Sequence, residues 1–178
     1  MQGVLQPLHD EHAELLPKVE RLRTLADGLT DGSAVLTIVP RIDEALEFLQ
    51  GGLIPHAMAE DEVLYPAVER VMGAPGAMVT MSRDHIEVMR LVEALEAVRK
   101  AIPSSGPSTT HILDARRLLY GLYALVGVHF AKEEEFLVPL LETTLDKEGA
   151  AHLYEQMEAA AERARPGEEE AAEVIVAG

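Results

Sequence analysis

The sequence predicts an all-α fold: an antiparallel up-down four-helix bundle followed by an extra C-terminal helix. Three observations predict it. Apolar residues recur every three or four positions along most of the chain, the period of a buried helix face. Alanine and leucine dominate, aromatics make up 4% and tryptophan is absent, a composition that favours helix over sheet. Finally, one helical hairpin is used twice. The stretch His56-Ala-Met-Ala-Glu60-Asp-Glu-Val-Leu-Tyr-Pro66 aligns without a gap with His129-Phe-Ala-Lys-Glu133-Glu-Glu-Phe-Leu-Val-Pro139.

The first helix carries Leu5, Leu8, His12, Leu15, Val19 and Leu22 on one face, with a kink expected at Pro17. Gly28 and the Thr30–Ser33 cluster end it. The second starts near Pro40 and carries Leu49, Leu53, His56, Glu60 and Leu64; Gly51-Gly52 and Pro55 predict a break or bend just before His56. Gly73 to Gly76 form the central loop. The third helix shows Met81, His85, Val88, Val92 and Leu95, and closes at Pro103 to Pro107. The fourth shows Leu119, Leu122, Val126, His129, Glu133 and Leu137, and a fifth runs from about Lys147 to Arg165. The expected organisation is therefore a bundle over 1–145, a C-terminal helix over 146–165 and an acidic flexible tail over 166–178.

A chain of 178 residues is long enough for one sizeable core. Its formal net charge of −16 repels nucleic acid and anionic membrane surfaces. With no cysteine, disulfides, zinc ribbons, iron–sulfur ligation and thiol nucleophiles are excluded. No signal peptide and no apolar run of roughly 20 residues is present, so a cytoplasmic location is expected. Nothing in the sequence identifies a protein partner.

Each His-x-x-x-Glu has an earlier histidine at the same distance: His12 lies 44 residues before His56, and His85 lies 44 before His129. About 16 residues separate His12 from the end of its helix, and about 16 separate the next helix start from His56, so at about 1.5 Å per residue both stand at one height. The same holds for His85 and His129. Four histidines and two glutamates thus converge on one layer, on stripes otherwise made of Leu, Val and Ile. Two unpartnered buried carboxylates are costly, and a pair of cations removes the cost. Imidazole plus carboxylate without thiolate suits iron, manganese or zinc. A single His-x-x-x-Glu is weak evidence; two copies in register, each followed by proline at the same offset, are strong. His12, His56, Glu60, His85, His129 and Glu133 are the expected metal ligands, with Glu134 in reserve.

The remaining residues are read more plainly. His111 is a surface or helix-start residue, His152 faces solvent, and His9 lies on the surface or behind the ligands. Asp61-Glu62 and Glu134-Glu135 belong to the wet side. Met58, Met72, Met78, Met81 and Met89 are core filler. Tyr65, Tyr120 and Tyr123 are packing residues first, with hydrogen-bonding or radical roles as the less common use.

Asp10-Glu-His12, His56xxxGlu60 with Pro66 behind it, Asp84-His85, and His129xxxGlu133 with Pro139 together resemble the hemerythrin-like, HHE cation-binding family over about residues 5 to 142. The resemblance implies a four-helix bundle with two iron ions in an oxo- or hydroxo-bridged di-iron centre. It implies that His12 and His56 bind one iron, that His85 and His129 bind the other, and that Glu60 and Glu133 bridge. Two departures from the oxygen carriers of that family stand out: Met89 replaces a second histidine, and the carboxylates after His129 are Glu133 at four residues and Glu134 at five. These favour an open coordination position. The expected function is binding O2 or reacting with hydrogen peroxide, including catalase-like turnover. The alternatives are an iron or oxygen sensing or storage module and a closed structural zinc site.

Overall fold

A computed structural model describes residues 3–30 and 35–167. The elements are α1 (Gln6–Gly28), α2 (Val35–Phe48), α3 (Ile54–Ala59), α4 (Tyr65–Met72), α5 (Val79–Ala101), α6 (Thr109–Lys132), α7 (Val138–Glu142) and α8 (Lys147–Ala164). Three π-helical turns, Leu49–Leu53, Glu60–Leu64 and Glu133–Leu137, join α2 to α3, α3 to α4 and α6 to α7. The bundle therefore has four legs: α1, the run from α2 to α4, α5, and the run from α6 to α7. α6 packs on both α1 and α5, and α8 lies across α3 and the π turn after it. No helix among the described residues is long and apolar enough to cross a membrane.

Local chemistry sets the boundaries. Ser108 caps α6 by accepting the His111 N–H, while the His111 ring accepts from the Ser108 N–H. His111 is thus a helix-start residue. Asp146 caps α8 through the Gly149 N–H at 2.8 Å. Gly73, left-handed at φ 63°, ends α4 where a side chain would be strained.

Two expectations need correction. The second leg begins at Val35, ahead of Pro40. Of the break or bend expected before His56 there is no break: the helix continues through Gly51-Gly52 as a wider turn. α1 continues as helix through Pro17. The N–H groups of Ile54, Tyr65 and Val138 reach five residues back, to the carbonyls of Leu49, Glu60 and Glu133. Each donor directly precedes a proline: Pro55, Pro66 or Pro139. A proline ring collides with the carbonyl four residues back, and the wider π turn opens room for it without ending the helix. The expected acidic tail falls, from residue 168 onward, outside the described residues.

The core has two halves. One holds Leu15, Leu53, Val88, Leu95, Leu122 and Val126. The other holds Leu8, Leu64, Met81, Leu137, Leu153 and Met157, the last two from α8. Between them in sequence, on every leg, stands a buried histidine or glutamate. Met58 and Met72 are not core filler: both are exposed, whereas Met78 and Met81 are buried.

Leu122 is 0% exposed in the first half-core. Leu122→Ala is expected to lower unfolding stability by about 2–5 kcal/mol through the cavity it leaves, with helicity retained. Denaturant titration checks this; an unchanged midpoint would contradict the packing.

Candidate metal centre

α1 delivers His12, α3 delivers His56, α5 delivers His85 and α6 delivers His129. Glu60 and Glu133 each begin a π turn. All six side chains are buried, the two glutamates completely. They form two overlapping groups, His12–His56–Glu60–Glu133 and Glu60–His85–His129–Glu133, each with its ligand atoms within 4.8 Å of one another.

The two carboxylates straddle these groups. Glu60 Oε1 lies 3.0 Å from His56 Nε2 and 3.6 Å from His12 Nε2. Its Oε2 lies 3.2 Å from His85 Nε2 and 3.9 Å from His129 Nε2. Glu133 Oε1 is 3.3 Å from His129 Nε2, and its Oε2 is 3.9 Å from His12 Nε2. His12 Nε2, His56 Nε2, both Glu60 oxygens and Glu133 Oε2 are buried without a hydrogen-bond partner. Such atoms are costly to bury unless something binds them, and a pair of cations fits every one.

The outward nitrogens explain why the rings point inward. Each Nδ1 faces a carboxylate: His12 with Glu134 at 2.6 Å, His56 with Glu11 at 3.0 Å, His85 with Asp61 at 2.9 Å and His129 with Asp84 at 3.1 Å. These carboxylates take the Nδ1–H and leave the Nε2 lone pairs facing the centre. Behind them stand further partners. His9 bonds Glu134 at 2.5 Å, its sequence counterpart Ser82 donates to Asp61, and Lys132 donates to Asp84.

Two sequence expectations change here. Asp61 and Glu134 are half-buried partners of His85 and His12 rather than fully solvated residues, because a buried imidazole needs its outer N–H accepted. Glu62 and Glu135 do face solvent, as does His152. Glu133 points inward and Glu134 outward, so Glu134 is not the inner carboxylate. Sequence reasoning also missed Glu11 and Asp84, although each precedes the first histidine of its copy. Tyr65 is underrated too: its hydroxyl donates to Glu133 Oε1 at 2.7 Å inside the layer. Tyr120 and Tyr123 pack against the first half-core, away from the layer; the Tyr120 hydroxyl donates to Asp27, and the Arg23 guanidinium lies over the Tyr123 ring.

Burial opposes charge on all four imidazoles, but the carboxylates outweigh it. His12, His56 and His85 are raised, and His129 reaches about 10 beside Glu133 and Glu60. Burial likewise opposes ionisation of Glu60, yet the facing histidines, His56 foremost, hold it well below the usual carboxylate range. Burial and that neighbouring charge then push Glu133 up. Glu11, Asp61 and Asp84 are lowered: burial works against it, and hydrogen bonds prevail, from His56, from His85, and from Lys132 with His129 respectively.

A raised imidazole contributes stability that is complete below its ordinary 6.5 and lost as pH climbs through its folded value, about 10 for His129. A lowered carboxylate contributes above its ordinary 4.5 or 3.8 and loses that on acidification. Metal-free protein should therefore melt highest between about pH 4.5 and 6.5 and fall progressively toward pH 10. Flat melting midpoints from pH 6.5 to 10 would contradict the assignment. A second variant probes the outer carboxylates. Asp84→Asn should leave the fold intact and weaken metal affinity about 10–100-fold, read by chelator competition; unchanged affinity would make Asp84 irrelevant to the centre.

Comparison with known proteins accords with this geometry. The chain is 30% identical over 152 residues to the iron-sulfur cluster repair protein YtfE of Cronobacter sakazakii, covering 78% of this chain. It spans 63% of that protein's length. No solved structure gave a significant match. The sequence model of the hemerythrin HHE cation-binding domain matches twice, over residues 4–111 and 80–176, one match beginning with each copy of the hairpin. The chain belongs to the hemerythrin HHE cation-binding domain family.

Proposed function

We propose that this protein is a non-haem di-iron protein that binds O2 or decomposes hydrogen peroxide in a catalase-like manner. The observation that carries this reading is the straddling geometry: the oxygens of Glu60 face different histidine pairs, and so do those of Glu133. Facing carboxylates shared by two cations are a recurrent device of bundle cores. The donor set, without thiolate, suits iron. Six side chains shared between two cations leave open coordination positions, which a closed structural site would not have.

Iron, when bound, supplies the redox chemistry that turns two molecules of hydrogen peroxide into two of water and one of O2. The chain's own residues do the rest. His12 and His56 hold one end and His85 and His129 the other. The outer carboxylates fix the rings, and Leu53, Val88, Val126, Leu64 and Leu137 keep bulk water away from the layer. A cleft of about 510 Å³ between α1, α3 and α8 is lined by Glu11, His56 and Tyr154, so it meets the outer side of the His56 ring.

A second reading treats iron as a stored, sensed or delivered species without turnover. The likeness to a protein named for iron-sulfur cluster repair favours it. Protein loaded with iron and challenged with peroxide separates the two. The first reading expects two irons per chain, near-ultraviolet absorption of a bridged ferric pair and sustained O2 release. Two irons that bleach without O2 release, or that pass to a chelator under peroxide, would overturn it in favour of the second. Glu60→Ala is expected to abolish the paired centre; two metals per chain in that variant would refute the ligand assignment.

A further inference from the structure

The two hairpin copies differ at two positions beside the layer, and one of them adds a polar side chain. Where the second copy has the fully buried Val138, the first has Tyr65. Its hydroxyl oxygen stands 2.7 Å from Glu133 Oε1, 3.0 Å from His129 Nε2 and 3.3 Å from His85 Nε2. The ring is buried and stacks on His85 at 16°, so this placement is fixed by packing.

His85 and His129 commit their Nδ1 atoms to Asp61 and Asp84, so both Nε2 atoms turn inward, 2.9 Å apart. The phenol donates its proton to Glu133, and its oxygen faces both nitrogens. Protons on the imidazoles join these atoms in the metal-free chain, and a cation would take the same place. Donor atoms at right angles around one cation, each at about 2.1 Å, stand roughly 3 Å apart. The spacings among Tyr65 Oη, His85 Nε2, His129 Nε2 and Glu133 Oε1 are those of such a shell. The opposite end differs. There Phe130 stacks on His12 with centroids 4.7 Å apart and offers no donor, and the cleft opens onto His56.

We propose that Tyr65 is a protein ligand of the cation held by His85 and His129, which leaves the His12–His56 cation as the end that meets exogenous small ligands. The inference rests on the paired-cation reading above. On ligation the phenol O–H breaks, the proton passes to solvent, and the oxygen–metal bond forms. The ends of the centre are then unequal: one closed by a phenolate, the other without such a donor and separated from the cleft by the His56 ring.

The test uses full-length protein loaded with ferrous iron and oxidised by O2, with metal content and visible spectrum measured on the same sample. Two irons per chain with a phenolate-to-ferric charge-transfer band is the expected result. Resonance Raman excited in that band should show tyrosinate ring modes. Tyr65→Phe should keep two irons and lose the band, while Tyr154→Phe keeps it. Two irons without a phenolate band, or a band that survives in Tyr65→Phe, overturns the proposal while leaving the paired centre standing. Fewer than two irons in the wild type overturns the paired reading and this proposal with it. The Raman measurement needs no variant, so a misfolded Tyr65→Phe does not blunt the test.

Discussion

Glu60 and Glu133 lie side by side with no exposed surface in the middle of an apolar bundle, and two carboxylates in such a place repel each other and forfeit their water. The rest of the layer answers that cost. Four imidazoles surround the pair, and four further carboxylates take the outer imidazole protons. In the metal-free chain those imidazoles carry the compensating charge themselves, which is why their pKa values rise despite burial. Protons thus do in the metal-free chain what a bound cation would do. The apolar half-cores on either side exclude the solvent that would otherwise dissolve the arrangement.

The wiring of the layer follows from the repeat. The residue before the first histidine of each copy holds that copy's second histidine: Glu11 holds His56, and Asp84 holds His129. The residue after each inner glutamate holds the other copy's first histidine: Asp61 holds His85, and Glu134 holds His12. Two hairpins related in this way lock each other's histidines, so neither half holds the layer alone. The π turns contribute to the same end. Each inner glutamate is the first residue of one, and a proline just beyond keeps the turn wide.

The bundle and its six inner side chains were legible because each depends on spacing. Helix period, the out-and-back residue count and the doubled His-x-x-x-Glu all survive without knowledge of neighbours. What escaped depends on contacts between legs. Nothing local distinguishes Asp61 from Glu62; one meets His85 across the bundle, while the other meets Arg163 on the surface. Tyr65 escaped for a different reason. A lone tyrosine in a helical stripe is ordinary packing, and only the meeting of α4 with α5 and α6 brings its hydroxyl to the layer. The π turn at Leu49–Leu53 read as a break or bend because Gly51, Gly52 and Pro55 are breakers one by one, while a widened turn satisfies the backbone that a break would expose.

Charge balance bears on which cations such a layer prefers. Glu11, Glu60, Asp61, Asp84, Glu133 and Glu134 bring six carboxylates to one cross-section, and Lys132 is the cation that the hydrogen bonds set against them. Two divalent ions bring four positive charges and two trivalent ions bring six. Strong acceptors on the outer imidazole nitrogens also raise the basicity of the inner ones. Both effects would stabilise the higher oxidation state of a metal bound there. The His56 end has fewer donors and borders the acidic cleft. A layer built from a duplicated hairpin thus has chemically unequal ends through side chains the duplication did not preserve, Tyr65 against Val138 and Phe130 against Ala57.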